Sequence, residues 1–85
     1  MSIKRNIEKE LIGIIEEILN KENNYVTLNH TFAELEIDSI LFIRLVVQCE
    51  TKLGIQFEDE MLLISKFTEV HSFAGYIQKR YELMK

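Results

Sequence analysis

The first stretch of the chain repeats apolar residues three or four positions apart, the spacing of one face of an α-helix. Over residues 3–20 these apolar positions are Ile3, Ile7, Leu11, Ile14, Ile15, Ile18 and Leu19. The charged residues expected on the opposite side are Glu8, Lys9, Glu16 and Glu17. The pattern predicts a first helix over residues 3–20 that begins at a Ser2 cap and ends at Asn20.

The helical period is lost over residues 21–37, where Asn, Thr and His favour turns. Apolar residues are interleaved with these polar ones, so the segment is expected to lie across the helices with its apolar side chains held in place. Thr31 and Glu34 have the spacing of a capping box, which predicts a single helical turn near residues 32–35.

Residues 39–53 contain neither Gly nor Pro and are followed by Gly54, which suits a helix C-cap. They predict a second helix, whose inward stripe is Phe42, Leu45, Val46, Cys49 and Leu53. Ile40, Leu41 and Val47 are then left near Arg44 on another face, where we expect them to be partly exposed. An exposed apolar patch of this kind indicates a partner-binding site.

The last third of the chain predicts two more helices. The acids of residues 58–60 favour a helix start, so a short third helix is expected over residues 59–65. Thr68 is the candidate N-cap of a fourth helix over residues 70–82. Its apolar stripe is Val70, Phe73, Ala74, Ile77, Tyr81 and Met84. The whole pattern predicts an all-α fold, a small four-helix bundle in one domain over residues 1–85, with a long connection between the first two helices.

Composition narrows the class of protein. The 85 residues carry a net charge of −4 and no large Lys/Arg cluster, so a nucleic-acid role lacks its electrostatic basis. The acidity is explained equally by solubility or by a partner with a basic surface. A single Cys excludes an internal disulfide, and no apolar run suits a signal peptide or a membrane span. We therefore expect a cytoplasmic protein that binds neither nucleic acid nor membrane.

Catalytic and metal-binding groups are sparse. His30 and His71 are the only histidines, and Asp38 adjoins Ser39 instead of lying behind a histidine as a catalytic triad requires. One Cys and two separated His lack metal-ligand spacing, and the acids of residues 58–60 lack the calcium-loop pattern. Cys49 is interpreted as a small core residue. We expect neither an enzyme nor a metal protein.

Asp38 and Ser39 stand where the turn-rich segment meets the second helix. Asp or Ser before an apolar run is a common helix N-cap, and this interpretation is sufficient on composition alone. A second interpretation is that Ser39 carries a phosphate ester, since a helix N-terminus favours one. Ser39 is followed directly by the apolar residues Ile40 and Leu41, and capping a helix does not require apolar residues there.

Residues 35–41, Leu-Glu-Ile-Asp-Ser-Ile-Leu, resemble the attachment motif of acyl and peptidyl carrier proteins, whose pattern is roughly Leu-Gly-x-Asp-Ser-Leu. The layout of helices and loops along nearly the whole chain is also similar to that family. The resemblance implies a bundle of acyl-carrier type in which Ser39 carries 4′-phosphopantetheine, installed from coenzyme A by a phosphopantetheinyl transferase. The terminal thiol would hold an acyl, aminoacyl or aryl group as a thioester.

The resemblance also implies roles for neighbouring residues and for partners. Asp38 would help the transferase position its metal and coenzyme A, and the partner-facing residues would be Ile40, Leu41, Arg44 and Val47. The implied partners are the transferase, a loading ligase or acyltransferase, and a downstream condensing or tailoring enzyme. The carrier performs no chemistry of its own, and we expect a free-standing monomer.

Two departures from the family pattern affect the expected pathway. Glu36 stands where Gly is usual, and Leu41 and Arg44 stand where carriers of fatty-acid synthesis usually have acids. The second helix is therefore closer to peptidyl carriers, which favours nonribosomal peptide or hybrid specialised-metabolite biosynthesis. The alternatives are a carrier of fatty acid or polyketide synthesis, and a helical interaction module that is never modified. A hydrolytic enzyme with Ser39 as nucleophile is the least favoured alternative.

Overall fold

The computed structural model describes residues 5–84. Three α-helices form the frame: α1 (Ile7–Leu19), α2 (Ser39–Leu53) and α3 (Val70–Leu83). Two short 3₁₀ turns, Asp59–Met61 and Ile64–Lys66, lie between α2 and α3. The fold is the expected all-α bundle with a long α1–α2 connection. Across residues 5–84, no helix is long and apolar enough to cross a membrane.

α1 begins later than the sequence predicts. Asn6 is its N-cap, because the Lys9 N–H donates to Asn6 Oδ1 at 3.1 Å. Arg5 and Asn6 are not helical, so the predicted start at residue 3 is wrong, and the proposed Ser2 cap lies outside the described residues. The predicted end is confirmed: Asn20 takes the left-handed conformation at φ 57°, a usual way to close a helix.

The long connection between α1 and α2 is folded onto the helices. Val26, Phe32, Leu35 and Ile37 are buried, as expected for a segment with its apolar side chains held in place. The predicted capping box is present, since the Thr31 N–H donates to Glu34 Oε1 at 2.8 Å. The residues that follow form the single helical turn predicted there, since the Leu35 N–H donates to the Thr31 carbonyl at 3.2 Å, but the turn does not continue into a helix.

The predicted third helix over residues 59–65 is wrong, because two 3₁₀ turns replace it. The Met61 N–H donates to the Glu58 carbonyl at 2.9 Å, and the Lys66 N–H donates to the Leu63 carbonyl at 3.0 Å. Leu63, between the turns, has extended backbone at φ −121°, ψ 126°. Neither turn has a side-chain cap or a buried residue, so a continuous helix would gain little from packing here.

α3 is capped by Glu69, so the predicted Thr68 cap is wrong. The Glu69 N–H donates to Ser72 Oγ at 3.2 Å. The long connection satisfies the next donors: the Val70 N–H donates to the His30 carbonyl at 2.9 Å. These bonds fix the connection that precedes α2 against the start of α3.

Five phenylalanines form the centre of the core. Phe73 of α3 packs its ring against the other four, with ring centroids 5.0–5.6 Å apart. The four partners come from the long connection, from α2 and from the segment between α2 and α3, and are Phe32, Phe42, Phe57 and Phe67. This cluster holds the first turns of α2 in place, because Phe42 lies only three positions after Ser39.

Candidate functional site

Ser39 is the first residue of α2, and it is exposed. The cap of this helix is Asp38, whose Oδ1 accepts a hydrogen bond from the Leu41 N–H at 2.8 Å. The N-cap interpretation therefore holds for Asp38, while Ser39 is the neighbouring residue and is not needed to close the helix. A helix N-terminus presents backbone N–H groups and a positive dipole end to an anion. The position of Ser39 thus suits a phosphate ester.

The turn that leads into Ser39 is made at an energetic cost. Glu36 has φ 58°, in the left-handed region that costs a non-Gly residue about 1–2 kcal/mol. Its neighbours Leu35 and Ile37 are both buried, so the turn is held by the core on either side. The Ile37 N–H also donates to the Phe32 carbonyl at 3.0 Å. Glu36 therefore takes the backbone conformation that Gly would adopt without strain.

An apolar groove of about 770 Å³ opens beside Ser39. One wall is the outer face of α2, which contributes Ile40, Ile43 and Val47. The other wall is formed by residues 62–65. Ile40 is 75 % exposed, so the residue directly after Ser39 is available to a partner.

The predicted partner-facing residues differ in exposure, and two further apolar residues are exposed on the groove. Ile40, Arg44 and Val47 are exposed, whereas Leu41 is half-buried and packs against the core. Ile43 is 46 % exposed and Leu63 is 57 % exposed. Ile43 could have been found from the sequence, because it lies three positions after Ile40 and four before Val47. Leu63 gave no such signal, since only the folded chain brings it opposite α2.

The charged residues of α2 are Arg44, Glu50 and Lys52. The Glu50 carboxylate accepts a hydrogen bond from the Phe57 N–H at 2.9 Å. Lys52 Nζ lies 2.7 Å from Glu17 Oε1. Arg44 is exposed and, among residues 5–84, forms neither an ion pair nor a side-chain hydrogen bond. The free charge on the outer face of α2 is therefore positive.

Neither the histidines nor the cysteine line the groove beside Ser39. His30 Nδ1 accepts a hydrogen bond from the Thr27 N–H at 3.0 Å, and His71 lies in the first turn of α3. In the part of the chain that the structure describes, no group of three or more acids, His or Cys could hold a metal ion. Cys49 is fully buried, and this burial raises the pKa of its thiol to about 12. It is the core residue that the sequence predicts.

Comparison with known proteins connects this geometry to a family. Residues 9–77 match the family model described as the phosphopantetheine attachment site. The chain is 35 % identical over 77 residues to the acyl carrier protein of Rhodococcus erythropolis, covering 89 % of this chain and 82 % of that protein. It is 37 % identical over 73 residues to the meromycolate extension acyl carrier protein of Mycolicibacterium aurum, covering 85 % and 73 % respectively.

A solved structure agrees with the fold. The crystal structure of an acyl carrier protein from Thermotoga maritima superimposes with a TM-score of 0.75 at 29 % identity. The alignment covers 96 % of this chain and 100 % of that protein. The alignment therefore spans nearly the whole chain.

Proposed function

This chain belongs to the phosphopantetheine-attachment family of acyl carrier proteins, which are carriers and not enzymes, and we propose that Ser39 is its attachment residue. The family carries covalently attached 4′-phosphopantetheine. The observation that carries the assignment is the place of Ser39: exposed, first in α2, directly after the Asp38 cap and at the end of an apolar groove. These features fit a phosphodiester, which needs an accessible hydroxyl and gains from the helix N-terminus.

The attachment step follows from this position. Ser39 Oγ attacks the phosphorus of coenzyme A that bears the pantetheine group, inside the transferase. A new P–O bond forms to Ser39 Oγ, the pyrophosphate P–O bond breaks, and adenosine 3′,5′-bisphosphate leaves. The hydroxyl proton passes to a base of the transferase. Asp38 keeps one carboxylate oxygen on the Leu41 N–H and can offer the other to the metal of the transferase.

After attachment, this chain's residues present a flexible arm whose thiol holds the cargo as a thioester. Ile40, Ile43, Arg44 and Val47 form the surface beside the arm that a partner enzyme would contact, with Ile43 in the place first expected of Leu41. The partners proposed are the transferase, a loading ligase or acyltransferase, and a condensing or tailoring enzyme. A cytoplasmic location stays a prediction.

Two pathways compete. The relatives named above are acyl carrier proteins, and this supports a carrier of acyl groups, for which fatty acid or polyketide synthesis is one setting. The outer face of α2 supports nonribosomal peptide or hybrid biosynthesis, because it is apolar with one free positive charge. Loading assays that offer the modified protein either aminoacyl adenylates with their ligases or fatty acyl groups with an acyl-carrier ligase would distinguish them.

The assignment of Ser39 is tested by intact mass. The protein is incubated with coenzyme A and a phosphopantetheinyl transferase of broad specificity, and one added phosphopantetheinyl group is expected. Ser39→Ala should gain nothing. Ser65→Ala is the matched control, because Ser65 is an exposed serine on the same groove, and it should be modified like the natural chain. Modification of Ser39→Ala, or none of the natural chain by several active transferases, would contradict the assignment.

A further inference from the structure

The face of α2 next to Ser39 has an unusual charge arrangement, and this inference rests on the proposed attachment at Ser39. Two of the three charged side chains of α2 interact with other residues of this chain. Glu50 accepts a hydrogen bond from the Phe57 N–H, and Lys52 forms an ion pair with Glu17. Arg44 alone points its charge outward without a partner among the described residues. It lies on the rim of the apolar groove, beside Ile40 and Val47.

Arg44 lies close enough to Ser39 to be covered by any enzyme that acts there. The two residues are five positions apart in one helix, which is about 7.5 Å along the axis at 1.5 Å per residue. A typical protein interface covers about 800 Å² on each partner, a disc of roughly 16 Å radius. A transferase that brings coenzyme A to Ser39 Oγ and seats on α2 therefore also covers Arg44.

Covering a free guanidinium has a cost unless the partner pairs it. An unpaired charge that loses its water is strongly unfavourable, whereas a carboxylate can bind the planar guanidinium with two hydrogen bonds. The acids that precede Ser39, Glu36 and Asp38, lie outside the lining of the groove. Glu17 borders a second surface hollow together with Arg44, but its carboxylate is paired with Lys52. The face after Ser39 is apolar apart from Arg44 and a few neutral polar groups.

We propose that the phosphopantetheinyl transferase that modifies this chain presents an apolar surface to the groove and places a carboxylate against Arg44. The chain would then select against transferases whose carrier-facing surface is basic, since those would meet Arg44 with like charge. Arg44 is thus a specificity-determining residue for the attachment reaction, and it acts through docking and not on the reacting atoms.

The test compares two transferases, one with an acidic and one with a basic carrier-facing surface, on the natural chain, Arg44→Glu and Arg44→Gln. The readout is kcat/KM for conversion of the unmodified protein, followed by intact mass. With the acidic enzyme, Arg44→Glu should lower kcat/KM about tenfold, because like charges then face each other. With the basic enzyme, the same change should raise kcat/KM. Both effects should shrink in 0.5 M NaCl, where charges are more strongly screened.

Lys79→Glu is the matched control. It changes the net charge by the same amount, but Lys79 is exposed on α3 and does not line the groove. It should leave both rates near those of the natural chain. If Arg44→Glu behaves like Lys79→Glu with both enzymes, the inference is overturned while attachment at Ser39 stands. If neither enzyme modifies the natural chain, the attachment proposal itself fails, and the inference fails with it.

Discussion

The carboxylate of Glu16, on α1, lies inside the protein and accepts a hydrogen bond from the Val26 N–H at 3.1 Å. Glu16 is only 5 % exposed, although the helical pattern places it on the polar side of α1. Val26 belongs to the long connection that ends at Ser39, and it is itself buried. A buried acid thus anchors the beginning of the segment that delivers the attachment residue.

Removal of this anchor should destabilise the fold. Glu16→Ala leaves the Val26 N–H buried without an acceptor, which costs about 1–3 kcal/mol. Glu16→Gln retains an oxygen that can accept the same bond, so its free energy of unfolding should lie closer to that of the natural chain. Urea unfolding followed by circular dichroism measures both. Equal stability of the Ala variant and the natural chain would show that the bond contributes nothing.

Glu36 should be a position where the natural residue is suboptimal. Since φ is 58° there, Glu36→Gly removes left-handed strain and should raise the free energy of unfolding by roughly 1 kcal/mol, less the added entropy of Gly in the unfolded chain. Gly54, at φ 67°, is the reverse control: Gly54→Ala should lower stability by a similar amount. Thermal melts of both variants test this. A less stable Glu36→Gly would mean that the Glu36 side chain contributes more than its strain costs.

Asp38 has a structural role and a proposed role with the transferase, and two substitutions separate them. Asn caps helices about as well as Asp, so Asp38→Asn should leave stability nearly unchanged. Asp38→Ala should cost about 1 kcal/mol through loss of the bond to the Leu41 N–H. If the carboxylate serves the transferase, both variants should be modified slowly, as followed by intact mass. Normal modification of Asp38→Asn would leave only the capping role.

Leu41 and Ile43 differ in burial although both are apolar residues of the same helix. Leu41 packs against the core, so Leu41→Asp should lower the thermal midpoint clearly, contrary to what its sequence position suggests. Ile43 is 46 % exposed on the groove, so Ile43→Asp should fold with a nearly unchanged midpoint while slowing transfer of cargo to the partner enzyme. The opposite ranking of the two melts would show that the faces of α2 are assigned incorrectly.

Cys49 should be inert in the folded protein. Burial raises its pKa from an ordinary 9.0 to about 12, so the unfolded chain ionises first as the pH rises. The unfolded state then binds fewer protons, and the contribution of this thiol to stability, intact below pH 9, is lost towards pH 12. Iodoacetamide at pH 8 should not label the native unmodified protein and should label it once in urea. Cys49→Val should flatten the alkaline part of the stability profile. Rapid native labelling would contradict the burial.

The sequence by itself determined the position of α2, its buried face and its caps. The stripe Phe42, Leu45, Val46, Cys49 and Leu53 is buried as its spacing predicts, because apolar residues three or four positions apart fall on one face in a helix and not in a strand. The bounds of α2, its Gly54 cap and the place of Ser39 at its start follow from the same local rules. Resemblance to carrier proteins, carried by residues 35–41, predicted the family that the comparisons show.

Tertiary structure decided the features that depend on distant parts of the chain. Glu16 is buried because the connection folds back to use its carboxylate, and periodicity within α1 cannot reveal that. The short third helix is replaced by two turns, in which Met61, Leu62 and Ile64 are only partly buried against the core and no residue is fully buried. The groove lies between α2 and residues 62–65, which only the folded chain brings together, and the acid that borders a hollow with Arg44, Glu17, is paired with Lys52. The spacing of apolar residues places each residue on one face of its helix, but the residues that pack against that face come from distant parts of the chain and are set by the tertiary structure.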